Sequence, residues 1–121
     1  YKNTNTNILG VHLEGPFINP NKLGAQPPLT INPSIEFIKK LIDVAPIKVI
    51  TLAPELDGMD EFIYQLDKLK INIQFGHSLA DFECCAKFMN KYSIGFTVAI
   101  NVNEGTITSE FLSTPKILSP K

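Results

Sequence analysis

The sequence predicts an α/β fold on a parallel sheet, with about four strands and three helices. Short runs rich in β-branched residues alternate with amphipathic stretches at helical spacing, and Gly or Pro clusters separate them. Apolar residues make up 44% of the 121-residue chain, enough for one hydrophobic core of ordinary domain size. Strands linked through helices of this length run parallel, and right-handed crossovers place the helices on one side of the sheet.

The first strand is expected over residues 8–13, where Gly15 and Pro16 break it. A loop rich in Pro, Asn and Gly runs on to Pro28. Asn32 then reads as an N-cap, with Pro33 at the first helical position. Ile35, Ile38, Leu41, Ile42 and Ala45 recur at helical spacing, and Pro46 stops the run. The second strand is expected over 47–52, closed by Ala53, Pro54 and Glu55. Asp57 is placed to cap a second helix carrying Phe62, Ile63, Leu66 and Leu69 on one face. A third strand over 71–75 leads into Gly76, His77 and Ser78. Ser78 or Asp81 starts a third helix with Phe82, Cys85, Ala86 and Met89. A fourth strand is expected over 95–102, and residues 106–113 can pair back on it as a hairpin. Residues 1–7 and 113–121 are expected to fray.

Composition narrows the partners. The formal net charge is −1, with no basic cluster, so neither a nucleic acid nor an anionic membrane surface is expected. No apolar run approaches the roughly 20 residues that span a bilayer. The polar start lacks the apolar stretch of a signal peptide, and the missing initiator Met suggests a chain cut from something longer. The two cysteines, Cys84 and Cys85, are adjacent and form neither a disulfide framework nor a usual ligand spacing. They read as one buried and one half-exposed reduced thiol, which fits the cytoplasm.

Two segments could carry chemistry. In Val11-His12-Leu13-Glu14 the side chains alternate, so His12 and Glu14 point one way and Val11 and Leu13 the other. In the third strand Ile73, Phe75 and His77 are expected to share a face. Glu14 and His77 then lie at the C-terminal ends of neighbouring strands, where parallel α/β folds keep their sites. A Glu and a His meeting there are half of a metal site, because catalytic zinc takes three protein ligands and a water. The plainer alternatives are a turn glutamate before Gly-Pro and a hydrogen-bonded histidine after Gly. Glu55 reads as a loop or cap carboxylate.

The run Gly10-Val11-His12-Leu13-Glu14-Gly15-Pro16-Phe17-Ile18-Asn19-Pro20, followed by Lys22-Leu23-Gly24-Ala25-Gln26, resembles the N-acetylglucosamine-6-phosphate deacetylases of the amidohydrolase superfamily. Thr51-Leu52-Ala53-Pro54-Glu55, then Gly76-His77-Ser78 with Ala80, follow in that family's order. The resemblance covers roughly residues 8–105 and only the middle of a deacetylase. It implies a single domain over 1–121, part of a TIM-type (β/α)8 barrel. It implies metal-dependent hydrolysis of the acetamide of N-acetylglucosamine 6-phosphate to glucosamine 6-phosphate and acetate. It implies that Glu14 and His77 are ligands of a divalent metal, zinc or iron. Ala25 and Asn101 fall where the family contacts the sugar and its phosphate, and His12 matches an orienting histidine of the same strand.

The departures matter as much. The family's second histidine ligand follows a Thr, whereas Val98 follows Thr97 here, and valine binds no metal. Leu79 stands where the family often has Asn. The family's catalytic aspartate lies on a later strand, so no catalytic residue is assigned. The chain alone is therefore expected to be inactive. The alternative is a truncated or degenerate non-catalytic homologue that binds a sugar phosphate or a partner chain. A sugar-phosphate aldolase or isomerase fragment ranks last, because Lys48 opens its strand instead of ending it. A part-barrel exposes sheet edges and an inner face expected to be apolar, so the chain is expected to self-associate or to repack the tail from Thr106 onward over the open sheet.

Overall fold

A computed structural model of the chain describes residues 7–97. In chain order they form β1 (Val11–Glu14), α1 (Ile35–Ile42), β2 (Ile47–Leu52), α2 (Met59–Lys68), β3 (Asn72–Phe75), α3 (Phe82–Met89) and β4 (Ile94–Phe96). The strands make one sheet in the order β1-β2-β3-β4, and every neighbouring pair is parallel. The order never reverses, as it does in a doubly wound sheet. This is a partial (β/α)8-type arrangement. The fourth strand's expected extension to residue 102 and the hairpin over 106–113 lie outside the described residues.

The register sorts the sheet into two faces. Leu13 pairs with Ile50, Ile50 with Ile73, and Leu52 with Phe75. These residues meet Ile38 of α1, Phe62, Ile63 and Leu66 of α2, and Cys85 and Phe88 of α3 in one hydrophobic core. Phe17, from the loop after β1, is fully buried among them. Its ring lies edge-on to Phe62 at 4.7 Å and to Phe37 at 5.8 Å, and its carbonyl accepts a 2.9 Å hydrogen bond from Ala53 N–H. Burying such a ring contributes roughly 1.5–3 kcal/mol, so Phe17 fixes the loop to the helix layer.

The opposite face carries His12, Glu14, Thr51 and Gln74, since Glu14 pairs with Thr51 and Thr51 with Gln74. The expectation of an apolar inner face is therefore wrong for the described strands. Polar residues alternate with the core residues; His12 bonds to Thr51, Gln74 is linked to it through Thr97, and Glu14 bonds to Gln26 and His77. That removes the apolar-face argument for self-association.

Element boundaries differ from the expected ones for local reasons. The first strand is Val11–Glu14 and includes Glu14. Helix α1 is capped by Ser34, not Asn32: the Ser34 hydroxyl accepts from Phe37 N–H at 3.3 Å. It ends at Ile42, and Ala45 lies in the turn beyond. Helix α2 starts from Gly58 at φ 81° with no side-chain cap, so Asp57 does not fill that role. Asp60 and Glu61 place negative charge in the first turn instead. Leu69 is the C-cap and exposed, while Met59 joins Phe62, Ile63 and Leu66 in the buried stripe. Asp81, not Ser78, caps α3 by accepting from Cys84 N–H at 2.8 Å. Phe82, the first residue of that helix, points to solvent.

Cys85 is buried and Cys84 half-buried, as the sequence suggests. Burial pushes the Cys85 thiol up to about 11, helped by Cys84 and the carboxylates of Glu55 and Asp81. Burial also raises Cys84, with Glu55 and Asp81 adding to it. No helix among the described residues is long and apolar enough to cross a membrane.

Two outcomes follow from these helix ends and thiols. Asp81→Ala should cost about 0.5–2 kcal/mol as a lost cap. Asp57→Ala should change stability by less than about 0.5 kcal/mol; urea unfolding midpoints compare the two. With an aromatic disulfide reagent near pH 8, both thiols of the native chain should react more slowly than free cysteine, Cys84 before Cys85. Raising the pH should speed both, because the thiolate is the attacking form; native reaction at the free-thiol rate would contradict the buried placement.

Candidate functional site

Glu14 ends β1, and Gly15 follows at φ 77°, a left-handed turn that suits glycine. The chain then folds back so that Gln26 Nε2 donates to Glu14 Oε2 at 2.8 Å. Glu14 is thus held by one oxygen, and Oε1 faces His77.

His77 reaches Glu14 by a route that strand alternation does not foresee. Strand β3 ends at Phe75, and Gly76 passes between β2 and β4. A Cβ on Gly76 would lie 2.9 Å from Thr51 Cγ2 and 3.0 Å from the Thr97 carbonyl oxygen, so no side chain fits there. His77 itself has φ 51°, in the left-handed region. Ile73 and Phe75 point into the helix-side core, whereas this turn brings His77 to Glu14 on the other face. The expectation that the three share a face is therefore wrong, because the strand stops two residues before the histidine.

The imidazole is only 6% exposed and is bonded at both nitrogens. Nδ1–H donates to the Lys22 carbonyl oxygen at 2.8 Å, and Nε2 lies 2.8 Å from Glu14 Oε1. Nδ1 already carries its proton, so Nε2 meets a carboxylate attractively only with a proton or a cation between them. Two donors on one divalent ion at about 2.0–2.2 Å sit roughly 3 Å apart, close to the spacing seen here. A histidine whose other nitrogen is anchored to a backbone carbonyl is also the usual form of a metal-ligating imidazole. The pair therefore fits two positions of a metal site. Among the described residues no group of three His, Cys, Asp or Glu side chains comes together.

Glu55, just past the end of β2, joins the loops on either side of the pair. Its Oε1 accepts from Asn19 Nδ2 at 3.0 Å and from Leu79 N–H at 2.7 Å, and its Oε2 accepts from the Ser78 hydroxyl at 2.6 Å. His12 lies on the same face as Glu14 but does not touch the pair. Its Nε2 is 2.8 Å from Thr51 Oγ1, which is 3.2 Å from Thr97 Oγ1, and Thr97 donates to Gln74 Oε1. The four side chains thread the polar face from β1 to the end of β4, with the Thr51 hydroxyl fully buried between them.

Ala25 is exposed, one residue before Gln26 in the loop beside Glu14. Asn101 and Val98 lie outside the described residues. On the helix side of β1, a cleft of about 320 Å³ opens between Leu13, Pro16, Pro27, Leu29 and Phe37, with Glu14 and Gln26 at its rim. Its lining holds no cationic side chain, so it is unsuited to a phosphate.

Sequence reasoning missed Gln26, Asn19, Thr51 and the part played by Glu55. Thr51 was findable, since it shares the parity of Val49 on a strand whose partner carries Glu14. Gln26 was adjacent to the Gly24-Ala25 segment already singled out. Asn19 and Glu55 stand inside the runs that carry the resemblance, but nothing local pairs them, because their contact joins loops 36 residues apart.

No protein-family model matches the chain. It is 47% identical over 77 residues to N-acetylglucosamine-6-phosphate deacetylase of Bacillus subtilis, covering 61% of this chain and 19% of that protein. It is 44% identical over 80 residues to the Mus musculus enzyme of the same name, again 61% of this chain and 19% of the relative. The fold superposes with a TM-score of 0.62 on N-acetyl-D-glucosamine-6-phosphate deacetylase of Mycobacterium smegmatis, solved in complex with N-acetyl-D-glucosamine-6-phosphate. That match has 29% identity and covers 67% of this chain and 22% of the other. The chain thus resembles part of such a deacetylase and spans about a fifth of the length of the curated relatives it matches.

Gly76→Ala should force Thr51 or the end of β4 to move. The expected cost is about 1–3 kcal/mol of overpacking in urea unfolding, with altered His77 ring resonances in NMR spectra. An unchanged His77 environment would show that the close approach does not set the histidine.

Proposed function

We propose that the described residues form part of a metal-dependent hydrolase acting on the acetamide of an N-acetylated amino-sugar phosphate, N-acetylglucosamine 6-phosphate by likeness. Glu14 and His77 are two of its cation ligands. The observation that carries this reading is the 2.8 Å approach of His77 Nε2 to Glu14 Oε1 across 63 residues of sequence, at the ends of two parallel strands. Gln26 orients the carboxylate and the Lys22 carbonyl orients the imidazole, so both donors are fixed before any ion arrives. When bound, a divalent ion, zinc or iron by likeness, supplies Lewis acidity to the reacting carbonyl. The polar face with His12 and the loop at Ala25 form the sugar side of the site; Asn101, assigned to the sugar phosphate by likeness alone, lies outside the described residues. The adjacent unpaired thiols of Cys84 and Cys85 fit a reducing, cytoplasmic setting.

A second reading is favoured by one specific observation. The two donors that come together among the described residues are too few for tight divalent binding, and Val98 follows Thr97 in sequence where the family places a histidine. On that reading these 121 residues are a non-catalytic homologue that binds a sugar phosphate or a partner chain.

Cobalt(II) titration of the 121-residue chain separates the possibilities. Weak binding is expected, lowered by about tenfold or more in Glu14→Gln and in His77→Ala, and strengthened in Val98→His. Acetate release from N-acetylglucosamine 6-phosphate should not exceed the blank. Binding that survives both ligand substitutions would sink the assignment of Glu14 and His77. Turnover that disappears with Glu14→Gln would make this chain a catalyst and remove the second reading.

A further inference from the structure

We infer that Glu55 is the positioning residue of this site: its carboxylate ties the loops after β1 and β3 together and so holds His77 in the left-handed turn that aims Nε2 at Glu14. The inference rests on reading Glu14 and His77 as cation ligands. It starts from the backbone of His77, whose φ of 51° is disfavoured for any residue with a Cβ. Something must hold that turn, and the contacts on both sides of it converge on one carboxylate. After the histidine, the Ser78 hydroxyl and the Leu79 N–H both donate to Glu55. The Ser78 oxygen in turn accepts from Ala80 N–H at 2.9 Å, which leaves its proton for Glu55. Across the site, Asn19 donates its side-chain amide to Glu55 and its backbone N–H to the His77 carbonyl at 2.9 Å. Three residues further along that loop, Lys22 supplies the carbonyl that anchors Nδ1.

Glu55 has no contact with Glu14 or with the imidazole. Both of its oxygens accept from loop donors, and among the described residues it does not join Glu14 and His77 as a third ligand. Its reach is through Asn19 and Ser78 to the ring. A neutral glutamine has the same shape and can repeat the pattern, with its oxygen accepting from Asn19 and Leu79 and its amide donating to Ser78. Leucine can satisfy none of the three.

The test uses the full 121-residue chain with labelled histidine, first without metal and then titrated with cobalt(II). In the parent, the Nδ1 proton of His77 should be shielded from solvent exchange by the Lys22 carbonyl. Glu55→Leu should lose that protected proton and bind cobalt about tenfold to a hundredfold more weakly, whereas Glu55→Gln should stay close to the parent in both. If Glu55→Leu does not fold, Ser78→Ala and Asn19→Ala each remove one tie and are read by the same two signals. A protected ring proton and unchanged affinity in these variants would overturn the inference. So would a Glu55→Gln chain as weak as Glu55→Leu, since charge and not loop geometry would then be acting. A parent chain that binds no cobalt would refute the ligand reading, while the ring signal of the metal-free chain still decides the role of Glu55.

Discussion

The imidazole of His77, gripped at both nitrogens, is the point on which the arrangement turns. Its two partners come from one side of the molecule: Glu14 from the end of β1, and the Lys22 carbonyl from the loop that follows. That loop is in place because Phe17 is sunk between Phe37 and Phe62 in the helix layer. The histidine is in place because Gly76 allows β3 to pass close to Thr51 and Thr97. An apolar anchor and a missing side chain, neither of them a candidate ligand, thus set the distance between the pair.

The two faces of the sheet divide the work. The helix side is an ordinary close-packed core, with Ile50, Leu52, Ile73 and Phe75 in register against three helices. The other side spends the same strands on His12, Glu14, Thr51 and Gln74. No side-chain nitrogen or oxygen buried among the described residues lacks a hydrogen-bond partner. Buried polar groups are tolerable only when satisfied in this way, and the satisfaction fixes rotamers that an apolar face would leave free. A barrel-type strand can therefore be stable on one side and chemical on the other.

Much of this was legible from the residues. The alternation of strands and helices, the span of β2, Phe62, Ile63 and Leu66 in the stripe of α2, and the meeting of Glu14 with His77 could be anticipated, although the strands of that pair are not neighbours as expected, since β2 lies between them. What failed did so where structure stops being periodic. Parity placed His77 with Ile73 and Phe75, but β3 ends at Phe75 and a left-handed residue resets the direction. Asn32 and Asp57 looked like caps by type, yet Ser34 and Gly58 hold those positions, because cap choice depends on where the chain arrives from the previous loop. Glu55 was read as a loop carboxylate, which it is, but its three donors come from distant segments and leave no local pattern. The polar character of the inner face was present in Thr51 and Gln74; it emerges only once the register aligns them.

The separation of 63 positions between Glu14 and His77 has a kinetic meaning. Neither β1–β2 nor β2–β3 pairing alone brings the two together, and each parallel pairing must first close a loop through a helix. Such non-local contacts form slowly and late on the way to the folded state. The pair consequently acts as a proof of completion: a ligand that recognises both side chains sees only molecules whose three strands have all docked. By mass action it draws partly folded chains toward that state.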